Sequence, residues 1–285
     1  MAQWRAPSTA MINARELIGS HDVVLITLDT LRYDVAEQAA LAGKTPFLKQ
    51  LIPGGTWEKR HSPGSFTYAA HQAFFAGFLP TPAKPGRHPR LFAARFPGSE
   101  TTSDETFVFE APNVVAGLTG HGYHTICIGG VGFFNRLSPL GSVLPSLFHE
   151  SHWSEELGVT SPVSTERQVA LACQRLRAIS PAQRIFLFIN ISALHQPNCI
   201  FAPPAQVDSP ATQAAALAYV DQHLPPLFEA LAQRAPALCI LTSDHGTAYG
   251  ESGYSGHRLA HESVWTVPYA EFVWPSAIRP EDNRS

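Results

Sequence analysis

Ala237-Leu-Cys-Ile-Leu-Thr-Ser-Asp-His-Gly246 begins as an apolar run and ends in an acid, an imidazole and a glycine. Such a run predicts a short buried strand. Gly246 then allows the backbone to turn away sharply. The strand delivers Asp244 and His245 side by side at its carboxyl end. A carboxylate next to an imidazole is a mixed oxygen and nitrogen donor pair, suited to Zn²⁺ or Mn²⁺. The same dipeptide also fits an ordinary surface loop, so its meaning depends on the rest of the chain.

Two more apolar runs end in a similar way. Val23-Val-Leu-Ile-Thr-Leu28 is followed by Asp29, and Arg184-Ile-Phe-Leu-Phe-Ile-Asn190 leads on to His195. Near-continuous apolar strands are those covered on both faces, as in parallel sheets. Helical patterns fall between them. One alanine-rich stretch runs to about Leu41, and others span Pro46 to Leu51, Thr67 to Gly77 and Val114 to Gly120. Ser164 to Ala178 reads as a helix capped by Ser164, and Gln213 to Arg234 as one split at Pro225-Pro226. Short strands are expected at Trp57 to His61, His124 to Ile128 and Val267 to Val273. Residues 79 to 106 are rich in Pro and Arg without periodicity, which predicts a long loop or partial lid. Gly129-Gly-Val-Gly132 lacks the G-x-G-x-x-G spacing of a dinucleotide site and reads as a turn. Strands alternating with helices predict an α/β fold, a mostly parallel central sheet with helices on both faces. No shift in composition divides the chain, so one domain over 1–285 is expected.

Composition narrows the function. With 15% charged residues and a formal net charge of −3, the chain offers no electrostatic case for nucleic acid or an anionic membrane as partner. Cys127, Cys173, Cys199 and Cys239 show no C-x-x-C spacing, and Cys127, Cys173 and Cys239, inside apolar or helical patterns, are expected to be buried free thiols. The amino terminus lacks the basic start and apolar core of a signal peptide, and no apolar run reaches bilayer length. The expected location is cytoplasmic.

In open parallel sheets, sites form at the carboxyl ends of the strands. That rule gathers Asp29, the segment from Asn190 to His195, and Asp244 with His245 at one edge. Thr67, at a helix start, adds a hydroxyl next to the positive end of a helix dipole, where an oxyanion is favoured. Asp29, Asp244 and His245 would hold a cation with Thr67 as a further ligand, and coordination would make the threonine a usable nucleophile. His195 and His257 would hold a second metal, contact the oxyanion or protonate the leaving group. Arg32 and Asp34 read as a structural pair beneath the site, and His71 as a packing or hydrogen-bonding residue.

These blocks resemble the alkaline-phosphatase/sulfatase superfamily. The stretch from Val23 through Leu28-Asp-Thr-Leu-Arg-Tyr-Asp34 resembles the sulfatase opening of apolar strand and Asp-Asp-Leu-Arg-x-Asp. Thr67-Tyr-Ala-Ala-His71 resembles the Thr-x-Pro-x-His nucleophile block of nucleotide phosphodiesterases. His195-Gln-Pro197 resembles the family His-x-Pro, and Thr242-Ser-Asp-His-Gly246 the Ser-Asp-His-Gly block. His257 stands where sulfatases have Lys and phosphoethanolamine transferases have His. The resemblance is to a short branch of sulfatase-like bacterial hydrolases encoded with radical-SAM and ATP-grasp proteins. It implies association with proteins of a biosynthetic cluster, and a small-molecule or peptide-linked phosphate ester as substrate.

It further implies a metal-dependent hydrolase or transferase of phosphate esters, with one or two Zn²⁺ or Mn²⁺ ions and a covalent phosphothreonine on Thr67. Sulfate-ester or phosphonate hydrolysis on the same fold, or a degenerate non-catalytic binding module, are the other readings. Thr67 cannot become formylglycine, which needs Cys or Ser, and Thr30 replaces the second Asp of the sulfatase pair. Ile191 stands where the phosphodiesterases carry a second-metal Asp. Asn190, Glu251 or His261 would have to compensate for it.

Overall fold

The computed structural model describes residues 12–77, 90–92, 106–108 and 113–277. Its strands are, in chain order, β1 (Asp22–Leu28), β2 (Glu58–His61), β3 (Arg90–Phe92), β4 (Thr106–Val108), β5 (His124–Ile128) and β6 (Glu150–His152). They continue with β7 (Ile185–Ile191), β8 (Ala237–Thr242), β9 (Ala248–Tyr249), β10 (Ser255–Gly256) and β11 (Thr266–Trp274). The helices are α1 (Ala14–Leu17), α2 (Tyr33–Leu41), α3 (Pro46–Leu51), α4 (Thr67–Ala76) and α5 (Val114–Gly120). After them come α6 (Pro139–Val143), α7 (Ser164–Ala178), α8 (Pro210–His223), α9 (Pro225–Ala232) and α10 (Glu262–Trp265).

Seven strands form the main sheet in the order β2-β11-β8-β1-β7-β5-β6. Only β11 runs against the others. The fold is thus a mostly parallel central sheet with helices on both faces, as the strand and helix pattern predicts. β1 lies at its centre, paired with β7 on one side and β8 on the other. Its alternation divides the core. Val24, Ile26 and Leu28 face a cluster shared with α2, α3, α7, α8 and α9. Val23 turns to a second cluster with Tyr68 and Phe75 of α4 and Val115 and Leu118 of α5. Both faces of β1 are therefore covered, which is why its sequence is apolar nearly throughout.

The structure corrects several expectations. Val163, not Ser164, occupies the cap position of α7, and the Ser164 hydroxyl is buried without a partner. The three-residue edge strand β6 escaped notice because Glu-Ser-His carries no apolar pattern. The glycine-rich stretch after Gly246 contains a two-stranded hairpin, β9 with β10. Within the expected lid, residues 90–92 form β3 and pair in parallel with β4; the remainder of that expectation lies outside the described residues. The split at Pro225 holds: α8 ends at His223 and α9 begins at Pro225. No described helix is long and apolar enough to cross a membrane.

Candidate active site and metal centre

β1 and β8 are neighbours in register, with Thr27 opposite Thr242. The residues just beyond them therefore emerge side by side. Asp29, Asp244 and His245 are fully buried, and one ligand atom from each lies within 4.8 Å of the others. The His245 ring is held in one orientation, because its Nδ1–H donates to the Gly246 carbonyl at 2.8 Å. Its Nε2 lone pair is left facing the carboxylates, 3.5 Å from Asp244 Oδ2. The 243–246 loop is pinned by Ser243 Oγ on the His245 carbonyl and by Ser62 Oγ on the Asp244 carbonyl.

Thr67 is the first residue of α4 rather than its cap, and no side chain caps that helix. Its hydroxyl lies 3.3 Å from His245 Nε2. The first turn of α4 brings its peptide N–H groups beside the hydroxyl, where an oxyanion is favoured. A buried chain of hydrogen bonds ties the helix to the sheet. His71 Nδ1–H donates to the Thr67 carbonyl at 2.7 Å, so its Nε2 accepts from the Thr27 hydroxyl at 3.1 Å. Thr27 Oγ1 in turn accepts from Asn190 Nδ2 at 3.2 Å, and Asn190 also donates to Asp29 Oδ2 at 2.9 Å.

The protonation directions fit a cation site. Burial and the nearby Asp29 push the Asp244 carboxyl well above its usual range. Burial also raises Asp29, but the imidazoles of His195 and His245 and the bonds from Asn190 and Thr30 outweigh it, leaving Asp29 below that range. Burial lowers His245, and it brings His71 down to about 4, so both rings are neutral. Asp244 Oδ2 has no hydrogen-bond partner. A divalent ion at this point would satisfy that oxygen and cancel the repulsion between the carboxylates. Two carboxylates and one neutral imidazole, with a hydroxyl alongside, match Zn²⁺ or Mn²⁺.

His195 and His257 lie next to this triad, outside the group of three ligand atoms. The His257 ring centre is 4.7 Å from that of His245 and 5.9 Å from that of His195. His195 Nδ1–H donates to the Gln196 carbonyl at 2.6 Å, and His257 Nδ1 is buried without a partner. Burial, with His245 and His195 close by, lowers His257 to about 4. The three residues suggested as compensating ligands are otherwise engaged. Asn190 gives its amide to Asp29 and Thr27 and accepts from Val131 N–H at 3.2 Å. Glu251 pairs with Arg32, which also binds Asp34 at 2.6 Å. His261 Nδ1 accepts from Ser263 N–H at the start of α10.

The supporting roles of two residues escaped the sequence reading. Thr30, with φ 67°, donates its N–H to Asp244 and its hydroxyl to Asp29. Gln213 of α8, fully buried, donates to the Thr30 carbonyl at 2.9 Å and accepts from Arg32 N–H at 3.3 Å. A glutamine on the buried side of an otherwise alanine-rich helix was the available signal.

Comparison with known proteins agrees with this fold. The sulfatase family model matches residues 21–284. No curated protein matches the chain by sequence. Among solved structures, the soluble domain of lipooligosaccharide phosphoethanolamine transferase A from Neisseria meningitidis is similar at TM-score 0.63 and 14% identity, covering 96% of this chain and 79% of that one. The C-terminal periplasmic domain of EcEptC from Escherichia coli, in complex with Zn, gives TM-score 0.59 and 13% identity, covering 90% and 73%. A protein in the alkaline phosphatase superfamily from Vibrio parahaemolyticus gives TM-score 0.53 and 16% identity, covering 96% and 63%. With the model spanning nearly its whole length and the fold in agreement, the chain belongs to the sulfatase family.

Proposed function

We propose that this chain is a metal-dependent phosphoric-ester hydrolase or transferase, built as one domain, that works through a covalent phosphothreonine on Thr67. The observation that carries the reading is the Thr67 hydroxyl 3.3 Å from His245 Nε2, beside two buried carboxylates. Asp29, Asp244, His245 and Thr67 would hold a Zn²⁺ or Mn²⁺ ion. When bound, that ion supplies positive charge that lowers the cost of ionising the Thr67 hydroxyl and of gathering charge on the transferred group.

The chain's own residues do the rest. Thr67 Oγ1 passes its proton to His195 or His257 and forms a bond to phosphorus as the bond from phosphorus to the ester oxygen breaks. His195 or His257 gives a proton to the departing oxygen. The peptide N–H groups at the start of α4 hold the phosphoryl oxygens. Water, or an acceptor alcohol in a transferase, then attacks phosphorus. The bond to Thr67 breaks, the attacking oxygen loses its proton, and Thr67 regains one. His195 and His257 would serve as ligands of a second ion if one binds.

The test is a panel of aryl phosphate monoester, diester, phosphonate and sulfate, each assayed with Zn²⁺ and with Mn²⁺. Turnover of a phosphate ester and a phosphoryl adduct on Thr67 by peptide mass spectrometry are expected. Turnover of sulfate or phosphonate alone would replace the reading with one of those activities. Failure to retain any ion would favour a binding module.

A further inference from the structure

We propose that Arg258 is a substrate-contacting residue, its guanidinium receiving a non-bridging oxygen of the phosphoryl group presented to Thr67. This rests on the phosphate-ester reading of the site and adds to it a preference for doubly charged monoesters.

Four observations place Arg258 there. Its peptide N–H donates to the Ser65 carbonyl at 2.8 Å, two residues before the nucleophile. Its guanidinium carbon stands 5.8 Å from the centre of the Phe66 ring, the residue between them. It directly follows His257, whose ring centre is 4.7 Å from that of His245, and His245 touches Thr67. Its backbone has φ 71°, a conformation uncommon outside glycine, so the turn after His257 is specifically shaped.

The state of its charge points to a ligand. Arg32, the other arginine in contact with the loop after His245, is buried and committed to Asp34 and Glu251. Arg258 is exposed and makes no ion pair with any described residue. A guanidinium over an aromatic ring, next to a nucleophile and without an ion-pair partner among the described residues, is arranged to donate to a pair of anionic oxygens. A monoester dianion offers more charge to that group than a diester monoanion does, and the gain is largest as charge gathers in the transition state.

The test compares wild type with Arg258→Ala and Arg258→Lys, each loaded with Zn²⁺ and checked for metal content and thermal midpoint. For Arg258→Ala, kcat/KM on an aryl phosphate monoester is expected to fall by about 100-fold. The loss on a diester should be about tenfold smaller, free guanidinium ion should restore part of the monoester activity, and Lys should be intermediate. Affinity for inorganic phosphate, measured by calorimetry, should weaken at least about tenfold in Arg258→Ala. Unchanged phosphate affinity, or equal losses on both substrates without guanidinium rescue, would overturn the assignment. Arg258-dependent phosphate binding by a wild type that turns over no ester would uphold Arg258 as the anion contact and remove only the hydrolase reading.

Discussion

The peptide N–H of Thr30 donates to Asp244 Oδ1 at 3.1 Å across a separation of 214 residues, and the Thr30 hydroxyl donates to Asp29 Oδ1 at 2.7 Å. One residue thus aims both carboxylates, and it does so from a left-handed backbone with φ 67°. That conformation costs a threonine about 1–3 kcal/mol, which the surrounding bonds must hold in place. Thr30→Gly relieves the strain but deletes the hydroxyl. Zinc affinity of the apo-protein, measured by titration calorimetry, should fall by about 10–100-fold while the thermal midpoint stays near wild type. An unchanged affinity would remove Thr30 from the orienting role.

Thr67→Ala removes the attacking oxygen while leaving Asp29, Asp244 and His245 in place. Turnover should drop by at least about a thousandfold with the ion retained. Thr67→Ser, which keeps a hydroxyl, should recover a measurable fraction of kcat. Elemental analysis alongside steady-state kinetics checks both expectations.

Gly246 is wedged between two neighbours. A Cβ added there would fall 2.0 Å from the Ser263 carbonyl oxygen and 3.2 Å from Arg32 Cγ. The first of these atoms is backbone and cannot swing aside, so Gly246→Ala must move the His245 loop or α10. A cost of about 1–3 kcal/mol is expected. For a chain of this size it lowers the thermal midpoint by several degrees. Differential scanning fluorimetry with and without zinc reads it, and the zinc-dependent stabilisation should shrink as well.

Far from the site, Glu150 on edge strand β6 binds three cations or potential cations. They are His124 at 3.1 Å, His152 at 3.2 Å and Arg175 at 3.0 Å. Burial raises the Glu150 carboxyl, but these bonds outweigh it and hold it below the ordinary glutamate range. A depressed carboxylate stabilises the fold above its unfolded value of 4.5 and loses that contribution as pH falls through the lower folded value. Glu150→Gln should therefore lose about 1 kcal/mol at pH 7 and flatten the stability profile below pH 4.5. Urea denaturation from pH 3 to 7 checks the slope.

Much of the fold was legible because β1, β7 and β8 are covered on both faces, and that condition writes itself as unbroken apolar runs. The ligands were legible for a related reason, since Asp29 and Asp244 interrupt such runs where a parallel sheet exposes its edge. What sequence could not convey was where polar side chains point. Asn190 and Glu251 look like available oxygen donors, yet one is spent aligning Asp29 and the other neutralising Arg32. The same limit explains the caps. Ser164 looked like the start of α7 but is already inside it, while the N–H groups of Phe47 and Leu48 at the start of α3 are bound by Asp221 of α8, far along the chain.

The central position of β1 has a kinetic consequence. Asp29 and Asp244 are carried by adjacent strands that are each hydrogen-bonded on both sides, so their amides should be among the slowest in the protein to exchange with deuterium. An ion held there would meet ligands placed by the sheet even before it binds. Removal of zinc by a chelator should therefore leave the slow exchange of the β1 and β8 amides largely unchanged.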